Sequence, residues 1–306
     1  MHHTSIQRDT VKADMPRNTP LISIAMSLYN AEQTLDLTLQ SLLAQTCDDF
    51  EILMLDDGST DNTLSIAKSY DDPRIRVLSD GTNRSQSERL NQAVEISRSE
   101  YFARMDNDDI AYPQRLEMQL AYLRNDSDID LVGASAIVFR GDGEVLGKRS
   151  MPESHEEICL RPHAGFPIIH PTYMGRTAWF RRYGYRKDAV QCDDQNMLLR
   201  AYKNSSFANV PEILLGYRED SISMAKIIPA RRNMARYQYR ALRDDGRPVR
   251  AVGAVAAQLA KGCVDYVATA IGLNYVLLRH RAQPIDADDR EAWQTVWQAL
   301  SERNDV

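Results

Sequence analysis

Four short segments and one histidine carry the side chains with chemistry to offer. Asp106-Asn107-Asp108-Asp109 sets three carboxyls within four residues. Like charges so close repel, and each loses hydration if buried. A divalent cation relieves both costs, and oxygen donors favour Mg2+ or Mn2+, shared with phosphate oxygens and water. The alternative is a solvated acidic turn capping a helix. Asp56-Asp57-Gly58-Ser59 is a second acidic turn, whose carboxylates either cap the next helix or accept hydrogen bonds from a nucleobase N–H or ribose hydroxyls. Ser27-Leu28-Tyr29-Asn30-Ala31-Glu32 lacks the glycines of a dinucleotide-binding turn. Tyr29 offers a flat face for a base, or packs in the core, and Asn30 and Glu32 offer polar contacts. Asp193-Asp194 opens a helix; the pair either matches the helix dipole or supplies a general base for a hydroxyl. His170, before Pro171, either orients a loop, contacts a metal or is a structural histidine bonded to backbone.

The elements between these segments decide whether they meet. Leu21 to Leu28 and Phe50 to Leu55 are short apolar runs fit for buried strands, and Arg74 to Ser79 and Tyr101 to Met105 are two more. Between them, Ala31 to Gln45 (Leu35, Leu39, Leu42, Leu43), the segment up to Tyr70, and Glu88 to Ser97 have helical character. This rhythm predicts an α/β fold with a mainly parallel, Rossmann-like central sheet and right-handed crossovers. Ligands in such sheets sit beyond the carboxyl ends of the strands. Ser27 to Glu32, Asp56 to Asp61 and Asp106 to Asp109 all directly follow strands, so they converge. Pro113 to Asn125 continues as helix, and Asp130 to Arg140 with Glu144 to Lys148 reads as a hairpin around Gly141-Asp142-Gly143. Gln191 to Tyr202 is helical; after about Tyr217 the pattern becomes helical throughout, over Arg231 to Arg243 and Val249 to Leu278. The reading is a tail over 1–19, a catalytic α/β domain over 20–222 and a helical segment over 223–306.

Composition narrows the class. The 306 residues are 43% hydrophobic and 26% charged, and the formal net charge of -6 leaves no basic excess for coating nucleic acid. Cys47, Cys159, Cys192 and Cys263 are far apart with no CxxC. They read as isolated buried or partly buried thiols in a reducing cytoplasm. Residues 1–19 lack the apolar core of a signal peptide and read as a mobile tail. No run of about 18 uninterrupted apolar residues exists, so no transmembrane helix is expected.

Taken in order, these segments resemble the inverting family 2 glycosyltransferases of GT-A fold. The similar stretches are Tyr29-Asn30-Ala31-Glu32, Gln45-Thr46, Asp56 to Asp61, and Arg104 to Ile110 with Pro113 and Arg115-Leu116. They continue with His170-Pro171 before Met174 and Arg176, then Asp193 to Arg200, then Pro211 to Leu214 with Tyr217-Arg218, so the match runs from about 20 to 222. The resemblance implies that Ser27, Tyr29 and Asp57 hold a uracil-like base, assisted by Arg84, with Asn30 and Glu32 among the nucleotide-sugar contacts. It implies ribose or metal contact for Asp106, metal binding for Asp108, and the role of base for Asp194. The metal, Mn2+ or Mg2+, would bridge the donor diphosphate. His170 and Asp193 fall on the acceptor side. This sequence departs from the family pattern in three places. Ser27-Leu28 stands where a proline is usual, Asp193 replaces a glutamate, and Gln195 and Leu198 replace aromatic residues.

The implied activity is transfer of one sugar, with inversion, from a nucleotide-diphosphate sugar, here a UDP-sugar, to a hydroxyl of a glycan or lipid-linked acceptor. Cell-surface polysaccharide or lipopolysaccharide assembly is the implied setting. A sugar nucleotidyltransferase would carry a glycine-rich triphosphate loop after the first strand, and Ser27 to Glu32 is not one. A noncatalytic nucleotide-sugar-binding protein is the other alternative, against which Asp106, Asp108 and Asp194 argue. A processive synthase would add membrane helices and Gln-x-x-Arg-Trp, absent here. The C-terminal helices, with Arg231, Arg232, Arg236, Arg240 and Arg243 on one stretch, either lie on the inner face of the membrane against anionic lipid or pack on the catalytic domain or another subunit. The sequence leaves the oligomeric state open.

Overall fold

The structure, a computed structural model, describes residues 19–220, 223–273, 279 and 282–302. The expected tail, except its last residue, lies outside the described residues, as do the boundary at 221–222 and the last turn expected up to Leu278.

The chain opens with the expected alternation: β1 (Ile22–Leu28), α1 (Leu35–Leu43), β2 (Phe50–Asp56), α2 (Thr63–Ser69), β3 (Ile75–Ser79), α3 (Gln86–Ile96) and β4 (Tyr101–Arg104). These strands pair in parallel in the order β3-β2-β1-β4. Every residue of β1 and β2 is buried, the mark of strands covered on both faces. Side chains alternate across the sheet. Ile22, Ile24, Met26 and Leu28 meet Leu35, Leu39 and Leu42 of α1 on one side. Ala25, Leu53 and Leu55 meet Leu90 and Val94 of α3 on the other.

Beyond β4 the sheet is mixed. After β5 (Ile110–Ala111) and α4 (Arg115–Asn125), the long β6 (Leu131–Arg140) forms the expected hairpin with β7 (Glu144–Arg149). A short helix, α5 (His155–Ile158), leads to β8 (Met174–Arg176), which runs antiparallel to both β4 and β6. Helices α6 (Thr177–Tyr183) and α7 (Asp193–Ala201) precede β9 (Phe207–Arg218), which pairs parallel to β6 and antiparallel to β5. The full order is β3-β2-β1-β4-β8-β6-β9-β5, with β7 beside β6.

Among the described residues, three long helices follow. α8 (Met224–Asp244) and α9 (Pro248–Ala270) form an antiparallel hairpin. α10 (Ala287–Ser301) returns to the sheet, where Trp293 and Leu300 pack with Ile110, Ile137 and Phe139. One expectation fails here: Cys263 is exposed, not partly buried, because none of the described residues covers the outer face of α9.

Candidate active site

Register puts the acidic loops together. β1 and β2 pair along their whole length, with Leu28 opposite Asp56, so the loops after them emerge level and side by side. On the other flank of β1, Met105 N–H donates to Ala25 O at 3.0 Å, and Asn107 Nδ2 donates to Ser27 O at 2.9 Å. The Asp106 loop is thereby stitched to the end of β1. Antiparallel β8 begins where β4 ends, so the 3-10 turn His170–Thr172 just before it lands beside Asp106.

A cavity of about 620 Å3 lies over these strand ends. Ser27, Tyr29, Asp57, Asp106, Asp108 and His170 line it. Asn30, Glu32 and Arg84 do not. Asn30 Oδ1 accepts from Thr60 N–H at 2.9 Å, and Glu32 Oε2 accepts from Asn62 N–H at 3.0 Å. These two side chains brace the β1 loop against the β2 loop. Arg84 pairs with Asp80 at 2.7 Å and gives only its backbone N–H to Asp57, also at 2.7 Å. Asp57 is itself held by Ser85 N–H and by buried Arg89, whose Nε donates at 3.0 Å.

The imidazole of His170 stands between two carboxylates. Its Nε2 is 2.9 Å from Asp106 Oδ2 and its Nδ1 is 3.6 Å from Asp194 Oδ2. Asp194, partly exposed, is not a lining residue, and neither is Asp193, which is buried and accepts from Ser87 Oγ at 3.1 Å. Buried Arg104 serves this acid cluster: its Nε donates to Asp106 Oδ1 at 3.2 Å. Burial by itself would raise the Asp106 carboxyl, but Arg104 and His170 outweigh it and hold it well below the usual range. Burial and then the Asp106 charge push Asp108 up to about 6, against Lys226 and Arg218. Burial also pushes Asp109 well up; its Oδ1 accepts from Arg218 N–H at 2.8 Å, and its Oδ2 has no hydrogen-bond partner among the described residues. Asp193 is raised, chiefly by burial.

Among the described residues, no three His, Cys, Asp or Glu side chains form a metal-holding group by themselves. Both oxygens of Asp106 are engaged. The Asp108 carboxylate accepts no hydrogen bond from a described residue, and lines the cavity. One free carboxylate beside a second fits a Mg2+ or Mn2+ ion that takes its other ligands from substrate phosphates and water.

Sequence reasoning missed several contributors. Buried Arg115 donates through Nη2 to Arg104 O at 2.7 Å and to Pro171 O at 2.6 Å, tying the Asp106 loop to the His170 turn. Its signal was an arginine in a helix whose neighbours Leu116, Leu120 and Leu123 are core. Lys226, from the first turn of α8, lines the cavity, and no local signal pointed to it. Among the described residues, the non-glycine residues with left-handed φ are Asn30, Ser85 and Gln191. Gln191 lines the cavity, and the other two adjoin the lining residues Tyr29 and Gln86; such backbone strain gathers at functional sites.

Comparison with known proteins gives the family and the fold. The model of a family described as glycosyl transferase family 2 matches residues 23–188. The putative glycosyltransferase EpsE of Bacillus subtilis is 34% identical over 209 residues, covering 66% of this chain and 74% of that protein. The O-antigen biosynthesis glycosyltransferase WbnJ of Escherichia coli is 28% identical over 229 residues, covering 72% and 88%. Among solved structures, S. aureus TarS 1-349 in complex with UDP superposes with a TM-score of 0.57 at 21% identity, covering 78% of this chain and 70% of that one. The mannosyltransferase PcManGT of Pyrobaculum calidifontis, in complex with GDP-Man and Mn2+, gives 0.56 at 17% identity, covering 94% and 88%. The fold is GT-A, with helices C-terminal to the sheet.

Proposed function

The chain belongs to glycosyl transferase family 2, and on that premise we propose that it moves a single sugar from a UDP-sugar to a hydroxyl of a glycan or lipid-linked acceptor, with inversion at the anomeric carbon and with Mg2+ or Mn2+. The observation that carries this reading is the convergence of Ser27, Tyr29, Asp57, Asp106, Asp108 and His170 on one cavity. The likeness to a UDP complex and to an O-antigen enzyme supports the donor and the polysaccharide setting. The domain division at about 222 belongs to the same reading.

Tyr29 stacks on the base while Ser27 and the Asp57 loop present polar edges to it. Asp108, with Asp106 beside it, would hold the metal. When bound, the ion neutralises charge on the departing diphosphate as a Lewis acid. The acceptor oxygen bonds to the anomeric carbon as the bond from that carbon to the diphosphate oxygen breaks, its electron pair leaving with UDP. Asp194 takes the acceptor proton, and His170 fixes its position relative to Asp106. Lys226 faces Asp108 with a cationic group for the phosphates.

Asp194→Asn is expected to lower turnover by about 10²–10⁴-fold, read as release of nucleoside diphosphate, while UDP affinity by calorimetry is kept. Near-normal turnover rejects the assignment. A second reading rests on His170 lining the cavity while Asp194 does not and lies 3.6 Å from its Nδ1. In that reading Asp194 accepts from Nδ1–H and orients the ring, and Nε2 takes the acceptor proton after exchanging its contact with Asp106 Oδ2 for the acceptor hydroxyl. A larger loss in His170→Gln than in Asp194→Asn selects that reading. Proton NMR of the product reports the anomeric configuration.

A further inference from the structure

The hairpin of α8 and α9 is built inside out. The buried residues of α9 are Ala251, Gln258 and Asp265, one stripe at seven-residue spacing on a 3.6-residue helix. Two of them are polar. Asp265 Oδ2 accepts from Arg231 Nε at 2.7 Å, and Gln258 Nε2 donates to Gln238 Oε1 at 3.2 Å. The apolar residues face the other way: Val252, Leu259, Val264, Tyr266 and Val267 are each more than half exposed. A helix that turns its polar stripe to its neighbour and its apolar face to water is built to be covered.

Charge says by what. Residues 223–270 hold nine Lys and Arg against three Asp, in a chain whose net charge is -6. Arg232, Arg236 and Arg240 of α8 border the apolar face on one side, lining with Ile228, Leu259 and Val267 a groove of about 810 Å3. Arg250 and Lys261 border it on the other. All five are exposed, and among the described residues none has a carboxylate within ion-pair distance. A second copy of the chain would cover the apolar face but would set unpaired arginines against unpaired arginines. A lipid surface bearing phosphates receives both the apolar ridge and its cationic borders.

We propose that the outer face of the α8–α9 hairpin docks on an anionic bilayer, with α9 lying in the headgroup plane, its apolar side toward the acyl chains and the arginines on phosphates. The 23 residues of α9 give a contact about 35 Å long. None of the helices in the described residues is long and apolar enough to cross a membrane. Because Lys226 at the start of α8 lines the catalytic cavity, docking holds that cavity beside the lipid surface. The proposal stands apart from the reaction assigned above.

Co-sedimentation of the full chain with vesicles tests it. Phosphatidylcholine vesicles are compared with vesicles of equal parts phosphatidylcholine and phosphatidylglycerol. The chain is expected to pellet with the anionic vesicles and to stay in solution with the neutral ones. The exposed-site pairs Leu259→Glu with Val267→Glu, and Arg236→Glu with Arg240→Glu, should each weaken partition by at least about tenfold, with unchanged thermal unfolding and unchanged UDP release. A chain left in solution by both vesicles overturns the proposal, as does equal pelleting with both or binding that neither pair weakens. A dimer in light scattering that Leu259→Glu with Val267→Glu dissociates assigns the face to a second copy instead.

Discussion

Asp193 and Asp194 are neighbours with different surroundings. Asp193 is buried on Ser87, while Asp194 meets His170. Burial raises the Asp193 carboxyl, so the native state holds its proton more tightly than the unfolded chain does. Its contribution therefore favours folding at acid pH and is lost as pH climbs through the raised value. Asp193→Asn keeps an acceptor for Ser87, and is expected to melt above the parent near neutral pH. The two curves should converge at about pH 4, where the unfolded carboxyl takes up its proton; a constant offset across pH contradicts this. The cysteines give a second prediction. Burial, with Asp194 and Asp193 nearby, pushes Cys192 up to about 12, and burial pushes Cys159 up to about 11. Cys263 is exposed. Since the thiolate is the nucleophile, iodoacetamide followed by mass spectrometry should label Cys263 first and Cys192 last. At this scale the acidic residues of the cavity were legible because their turns directly follow strands of a parallel sheet, where ligands collect. The cations that hold them were not, since Arg89 reaches Asp57, Arg218 reaches Asp109 and Lys226 reaches Asp108 only through tertiary contact.

The elements act by where they stop. β1 and β2 end level, and α4 supplies the clamp that holds the next two loops. Arg115 is fully buried, which pulls its guanidinium down to about 10, and it bonds two backbone carbonyls from the β4 end and the His170 turn. Arg115→Met leaves both carbonyls without a donor and is expected to cost about 2–5 kcal/mol in urea unfolding. It should also lower turnover more than UDP affinity, because the His170 turn loosens while the loops after β1 and β2, proposed to hold the base, keep their own bonds. Equal losses in both would make Arg115 a stability residue alone. Helix and strand periods were readable for the first four strands. The three-residue β8 and two-residue β5 carry too few residues for a period, and only their partners make them strands.

The whole molecule is closed by α10. Trp293 is buried against Phe139, with ring centroids 4.7 Å apart, and its Nε1 donates to Gly143 O at 2.9 Å. It lies over Gly216 of β9, where an added Cβ would overlap the indole. Trp293→Ala is expected to cost about 3–5 kcal/mol, and Gly216→Ala to destabilise by overpacking at the same contact, both measured by chemical unfolding. A loss under 1 kcal/mol for the tryptophan would mean that α10 is only loosely held. The helical character after Tyr217 was legible, but the sequence did not tell a helix that returns to the sheet from a pair that turns its apolar side outward.

By itself the sequence determined the strand rhythm, the three acidic strand ends and the family, because burial period and loop chemistry are local and survive in the order of residues. Tertiary structure alone decided which carboxylates face the cavity, that His170 stands between Asp106 and Asp194, and that Asn30 and Glu32 brace loops instead of lining the site. Those outcomes depend on register and on distant arginines, and a side chain's charge and direction are set by whatever the fold brings against it.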